Sequence, residues 1–319
     1  MEKATSCRIE AGTLRRAAEL LRAGRLVAFP TETVYGLGAN ALDEVAVRRV
    51  FEVKGRPATS PLIVHVSSIE MARNTVVREW PAAAQKLAER FWPGPLTLVL
   101  PKRAQIPDIV TAGLDTVGVR MPAAPDILEM IDYAGVPVAA PSANRFTEVS
   151  PTTAEHVRES LDGAVDLILE GEPSRIGIES TVLSLAGARP VLLRPGMITT
   201  GEIESLIGPV TIAGPVANGA AHASPGLHRK HYSPRTRVVL VDGGRLPESG
   251  RGAYLRIATA APAARAVQMP ADANGYAARL YAVLHELDGE GWDWIAVETP
   301  PDAPEWAGIR DRLQRAAAQ

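Results

Sequence analysis

Short apolar runs that stop at proline or glycine, and then give way to hydroxyl and basic side chains, recur along the first two thirds of this chain. Residues 26–29 set the pattern. They lie between Gly24 and Pro30 and read as a buried strand, since four apolar residues between breakers are too few for a helix. A polar loop is expected from Thr31 to Gly38. Asp43 then caps a helix on which Ala46, Val47, Val50 and Phe51 share a face, with Lys54 and Arg56 at its far end. Residues 62–64 form the next strand and deliver His65. Further apolar runs follow at 96–100, 117–121, 136–140, 167–169, 180–185 and 191–193, several of them closing on Ser142, Asn144 or Arg194. Helical stretches separate some of these runs and not others. The expectation is a mixed, twisted α/β sheet rather than a regular βαβ ladder. Thr13 is read as the cap of a first helix ending at Gly24.

From 209 to 234 glycine, alanine, proline and serine dominate and apolar periodicity vanishes, up to the closing SPGLHRKHYSP. Such a length without structure of its own reads as a linker, here as a lid over a site. This divides the chain into a catalytic domain (1–208), a linker (209–234) and a small Rossmann-like α/β domain (235–319) without an evident catalytic constellation. The strands and helices of the first domain are complete by Gly208, so that domain is expected to stand alone.

The strand-end residues suggest chemistry. Lys54, Arg56, Arg120 and Arg194, gathered with hydroxyls at one sheet edge, describe a pocket for phosphate and carboxylate groups, since arginine offers either a bidentate fork and lysine a point charge. A formal net charge of −2 over 319 residues excludes a broad electrostatic grip on nucleic acid, so the cations must act locally. Cys7 is the sole cysteine, which excludes an internal disulfide, and no His/Cys spacing suits zinc. No serine lies in a nucleophile motif and no Walker loop exists. Gly36-Leu37-Gly38-Ala39-Asn40-Ala41 fits a loose dinucleotide fingerprint, but Pro30 to Tyr35 intervene where the strand should lead straight into the first glycine. The N-terminus lacks the apolar core of a signal peptide and no run approaches membrane-spanning length, so a cytoplasmic protein is expected.

Taken in order, PTETVYGLG, KGRP with a following PL, WPGPLTLVL, VGVRMP, APSAN with SPT, GIESTV, LRPG and SPGLHRKHYSP resemble the threonylcarbamoyl-adenylate synthases of the two-domain Sua5 type, whose catalytic half is YrdC-like. The resemblance covers essentially the whole chain. It implies an enzyme that joins L-threonine, bicarbonate or carbon dioxide, and ATP into L-threonylcarbamoyladenylate and pyrophosphate, with Mg2+ accompanying ATP. The product would pass to a TsaD/Kae1-type transferase that modifies position 37 of tRNA, with no membrane and no stable nucleic-acid complex involved. By similarity Thr33, His65, Arg120, Ala140 (through its backbone) and Ser180 would hold threonine. Arg56, Ser60, Thr116, Ser142, Asn144, Ser150, Arg194 and Tyr232 would hold ATP, and Lys54 and Arg56 would act on its phosphates in catalysis. No protein metal ligand is implied. Ser60 stands where the family often has asparagine, and Phe146-Thr147-Glu148 replaces a Ser-Gly loop. The alternative reading is an RNA-binding module with a basic concave face and no chemistry, against which near-neutral charge and few aromatics weigh.

Overall fold

A computed structural model describes residues 4–214 and 230–318. Residues 215–229, most of the expected linker, lie outside the described residues, as do Pro225, Gly226 and Arg229.

The chain begins with β1 (Thr5–Arg8), α1 (Ala11–Arg22), β2 (Val27–Phe29), β3 (Gly36–Asn40), α2 (Glu44–Lys54) and β4 (Ile63–His65). A short α3 (Ile69–Met71) runs into a π-helical turn (Ala72–Val76), followed by α4 (Ala82–Phe91), β5 (Leu96–Pro101), α5 (Asp108–Thr111) and β6 (Thr116–Arg120). Then come α6 (Pro125–Ala134), β7 (Val138–Ala139), α7 (Ala154–Leu161), β8 (Leu167–Glu170), β9 (Thr181–Ser184), β10 (Val191–Arg194), α8 (Thr200–Ile207) and β11 (Thr211–Ile212). Their strands form one mixed sheet in the order β1-β8-β2-β3-β7-β4-β6-β5-β9-β10-β11. The mixed sheet expected from the irregular alternation is therefore present.

Three local expectations are corrected. The stretch read as loop up to Gly38 turns into β3 at Gly36, a buried strand antiparallel to β2. Glycine hides it from a propensity reading, yet the space requires glycine: a Cβ on Gly38 would lie 2.5 Å from the Phe29 ring. The same placement removes the glycines from any phosphate loop. The cap of α1 is Glu10, and Thr13 sits one turn in, its hydroxyl accepting the Glu10 N–H at 2.8 Å. Finally β1 and β11 are edge strands whose composition announces nothing.

The second domain contains β12 (Arg237–Val241), β13 (Gly252–Arg256), β14 (Arg265–Gln268), α9 (Ala273–Asp288), β15 (Trp294–Glu298), a 3-10 turn (Pro304–Trp306) and α10 (Ala307–Ala316). Its strands form a four-stranded parallel sheet, β12-β15-β13-β14, in keeping with a small Rossmann-like unit.

The two domains share a core. Val34, Val149 and Ile178 of the first pack in one buried cluster with Tyr232 and with Tyr276, Tyr281, Trp306 and Leu313 of the second. At Gly308 the backbones themselves meet, since a Cβ there would lie 2.8 Å from the Cα of Gly196. The expectation that the first domain is complete at Gly208 is therefore corrected. Its sheet takes a strand beyond that residue, and part of its apolar surface is covered only by the second domain. No helix among the described residues is long and apolar enough to cross a membrane.

Candidate functional site

The centre of the sheet builds a cleft. β4 and β6 run parallel with Ile63 across from Gly118 and His65 across from Arg120, so a histidine and an arginine emerge side by side. Arg120 is buried and anchored through one contact at each nitrogen: Nη1 donates to Thr33 Oγ1 at 2.9 Å, Nη2 to Glu32 Oε1 at 2.6 Å and Nε to the Gly94 carbonyl at 3.1 Å. Glu32 uses its other oxygen to accept the Ala123 N–H at 2.9 Å. Thr31 and Thr33 share a hydrogen bond of 2.9 Å. Burial, aided by the Arg120 charge, lowers the His65 pKa to about 3, so its imidazole is neutral.

Next along the sheet, Ser180 precedes β9 and bonds Thr97 of β5 through its hydroxyl at 2.8 Å. Arg194, the last residue of β10, donates from Nε to the Ser180 carbonyl at 3.1 Å and from Nη2 to the Ser180 hydroxyl at 3.2 Å. Arg56 lies beyond the C-terminus of α2, with Nε on the Ser60 carbonyl at 3.3 Å and Nη2 on the Pro61 carbonyl at 3.0 Å. Burial lowers its pKa to about 10, with Tyr232 opposing and Arg194 reinforcing the shift. Burial likewise lowers that of Arg194. At about 10, Arg56 remains a cation at neutral pH.

Of the residues singled out in the sequence, Thr33, Arg56, His65, Arg120, Ala140, Ser142, Ser180, Arg194 and Tyr232 line this one cleft. Five others do not. Lys54, expected at the phosphates, is buried with its ammonium on the carbonyls of Ser142 (2.6 Å) and Asn144, and 3.4 Å from Asn144 Oδ1. Burial pushes its pKa well below the usual lysine range, with the Arg56 charge adding to the effect. As placed, Lys54 and Asn144 fasten the loop after β7 to the end of α2. Ser60 lies behind Arg56, its hydroxyl buried with no hydrogen-bond partner among the described residues. Thr116 opens β6 two residues before Gly118, at the end of β4 nearest Arg56. Ser150 reaches the cleft only through Glu179, donating to its Oε1 at 2.6 Å.

Glu179 was not anticipated, although it stands inside GIESTV next to Ser180. It lines the cleft. Burial alone would raise its pKa, but Arg312, Arg194 and the Ser150 hydrogen bond hold it below the usual carboxylate range. His231 also lines the cleft, beside Tyr232, whose hydroxyl is buried and unpartnered among the described residues. With these two rings inside, the cavity volume is only about 50 Å3.

Comparison with known proteins agrees with this architecture. A family model described as telomere recombination, covering Sua5, YciO and YrdC, matches residues 19–196, and one described as the threonylcarbamoyl-AMP synthase C-terminal domain matches 198–318. Threonylcarbamoyl-AMP synthase of Pyrococcus abyssi is 42% identical over 97% of this chain and 95% of its own. That of Bacillus subtilis is 41% identical, over 95% and 92%. The crystal structure of P. abyssi Sua5 complexed with L-threonine superposes with a TM-score of 0.91 at 40% identity, covering 98% of this chain and 97% of that one. The match to named relatives thus runs through both domains and nearly the full length of the chain, which belongs to the Sua5 family of threonylcarbamoyl-AMP synthases.

Proposed function

We infer that the chain condenses L-threonine, bicarbonate or carbon dioxide, and ATP into L-threonylcarbamoyladenylate with release of pyrophosphate. The observation that carries this is a single cleft lined by both sets of side chains. Arg120, Thr33, His65 and Ser180 offer a guanidinium, hydroxyls and a neutral imidazole that suit the carboxylate and hydroxyl of threonine. Arg56, Arg194, Ser142 and Tyr232 suit a triphosphate and its nucleoside, and we assign them to the nucleotide end. Because these arginines are buried rather than spread over a concave surface, an RNA-binding module is the poorer reading.

The amine of threonine, deprotonated, takes up carbon dioxide to give a carbamate. One carbamate oxygen attacks the α-phosphorus of ATP and the bond to pyrophosphate breaks. Alignment and charge neutralisation, rather than a protein nucleophile, carry such a transfer. Arg56 and Arg194 neutralise phosphate charge, while burial of the cleft keeps the carbamate from water. Ser60 and Ser150 support the nucleotide end from behind, Thr116 lies at the same end of β4, and Lys54 and Asn144 fix the loop that carries Ser142. Mg2+ would arrive with ATP and would supply further charge neutralisation at the phosphates. The product is then available to a TsaD/Kae1-type tRNA transferase, in the cytoplasm.

The test is incubation of the chain with threonine, bicarbonate and ATP, followed by mass analysis. A threonine- and bicarbonate-dependent adenylate with matching pyrophosphate supports the assignment. RNA binding with steep salt dependence and no pyrophosphate would replace it.

A further inference from the structure

Arg312 belongs to α10 of the second domain, yet its side chain is fully buried against the first. Nε donates to Glu179 Oε2 at 2.7 Å, Nη2 to the Glu179 carbonyl at 3.2 Å and Nη1 to the Pro195 carbonyl at 3.0 Å. Nη1 also meets Asp311 Oδ2 at 2.7 Å and the Gly308 carbonyl at 3.4 Å. From α9, the Tyr281 hydroxyl donates to the same Glu179 oxygen at 3.1 Å. The Arg312 guanidinium carbon lies 5.2 Å from the centre of the Tyr232 ring. Two side chains of the second domain thus grip one carboxylate of the cleft wall, and a third contact supports the ring that fills the cleft.

A buried carboxylate must have a cation, and two buried arginines act on Glu179: Arg312 behind it and Arg194 in the cleft. We propose that Arg312 is a positioning residue that, together with Tyr281, keeps Glu179 on the second-domain side of the cleft. Ser150, whose hydroxyl donates to Glu179, and the Tyr232 ring beside Arg312 are thereby held in place at the nucleotide end of the cleft. This rests on the reading of that end of the cleft as the ATP site. Without the fork, Glu179 loses its anchor and the Ser150 hydroxyl that donates to it loses a fixed acceptor, while the Arg120–Glu32 pair keeps its own contacts. The second domain then contributes to catalysis by holding one wall of a site it does not line.

Two variants of the full chain test this by separate KM values for ATP and threonine, with melting curves alongside. Arg312→Lys keeps the charge and loses the fork, and Tyr281→Phe removes one hydroxyl. Losing a charge-assisted fork should raise the KM for ATP about tenfold in Arg312→Lys, and losing a single hydrogen bond about threefold in Tyr281→Phe, with the KM for threonine within about twofold in both. Parallel losses for both substrates would mean a merely structural contact and overturn the proposal, as would an unchanged KM for ATP in both variants. Should Arg312→Lys fail to fold, an unchanged KM for ATP in Tyr281→Phe overturns it alone. A wild-type chain that makes no adenylate sinks the functional reading instead.

Discussion

His156 of α7 and His285 of α9 stack face to face across the domain boundary, ring centroids 3.9 Å apart and planes 16° from parallel. Burial lowers the pKa of His156 to about 4, with the neighbouring His285 adding to the shift, and burial lowers that of His285 as well. Nε2 of His285 lies 3.2 Å from the Ser150 carbonyl, so that nitrogen carries the proton and Nδ1 is the one left to titrate. In the unfolded chain both rings take up protons near about pH 6.5. The unfolded state therefore binds more protons below that pH, and folding stability falls with acidification. The loss begins as pH drops through about 6.5 and continues toward the folded value of about 4 for His156. His65, lowered to about 3, adds to the same trend. Melting temperature measured from pH 8 to 5 should decline, and His285→Gln should flatten the decline. A pH-independent melt would contradict this account of the stack.

Glu32 is the second test. Its pairing with Arg120 is buried on both sides, at 4% side-chain exposure each. Removing one partner of a buried pair leaves an uncompensated charge, so Glu32→Ala should cost about 3–5 kcal/mol of stability. The KM for threonine should rise as well, because Arg120 loses one of the contacts that aim it. Urea unfolding and threonine titration would check both.

Lys54 and Arg56 stand two residues apart and should respond differently. Lys54→Met strips hydrogen bonds from the buried carbonyls of Ser142 and Asn144, which should destabilise the fold by about 1–3 kcal/mol. Arg56→Ala removes a cation that lines the cleft, and loss of a charge-assisted hydrogen bond should lower kcat/KM about ten- to a hundredfold. Melting curves and steady-state kinetics of both variants separate the roles. Equal kinetic losses at equal stability would return Lys54 to the phosphates.

Tyr232 needs a conservative change. It is 1% exposed, packs 6.0 Å from Tyr281 between ring centroids and lies under Arg312. Tyr232→Ala would open a cavity in the shared core costing about 3–5 kcal/mol, which confounds any kinetic reading. Tyr232→Phe deletes only a buried hydroxyl without a partner among the described residues, and should leave the melting temperature unchanged while weakening ATP binding. An unaltered KM for ATP in Tyr232→Phe would remove that hydroxyl from the nucleotide site.

What the sequence revealed followed physical rules. Strands bounded by Pro30, the Asp43 cap and the arginines at strand ends all obey local chemistry, and a short-range pattern exposes them. β3 escaped because its glycines answer to the Phe29 ring, a neighbour that pattern cannot supply. The contacts of Lys54 escaped because a lysine at a helix end looks the same whether its ammonium meets water, phosphate or the carbonyls of a loop ninety residues away. Arg312 carried no signal at all. It sits among other charged residues on α10, and only the assembled domains show that this one points inward.

His65 and Arg120 meet because β4 and β6 pair in one register, and strand registers change only in whole residues. A slip of one residue would move His65 by about 3.3 Å and turn it to the opposite face of the sheet. Between the correct pairing and the next there is no intermediate arrangement in which the imidazole and the guanidinium almost meet. The pocket is in that sense discrete, appearing complete when the central strands zip together and vanishing complete when they part. Activity in a partly unfolded sample therefore counts intact molecules, each either fully competent or silent.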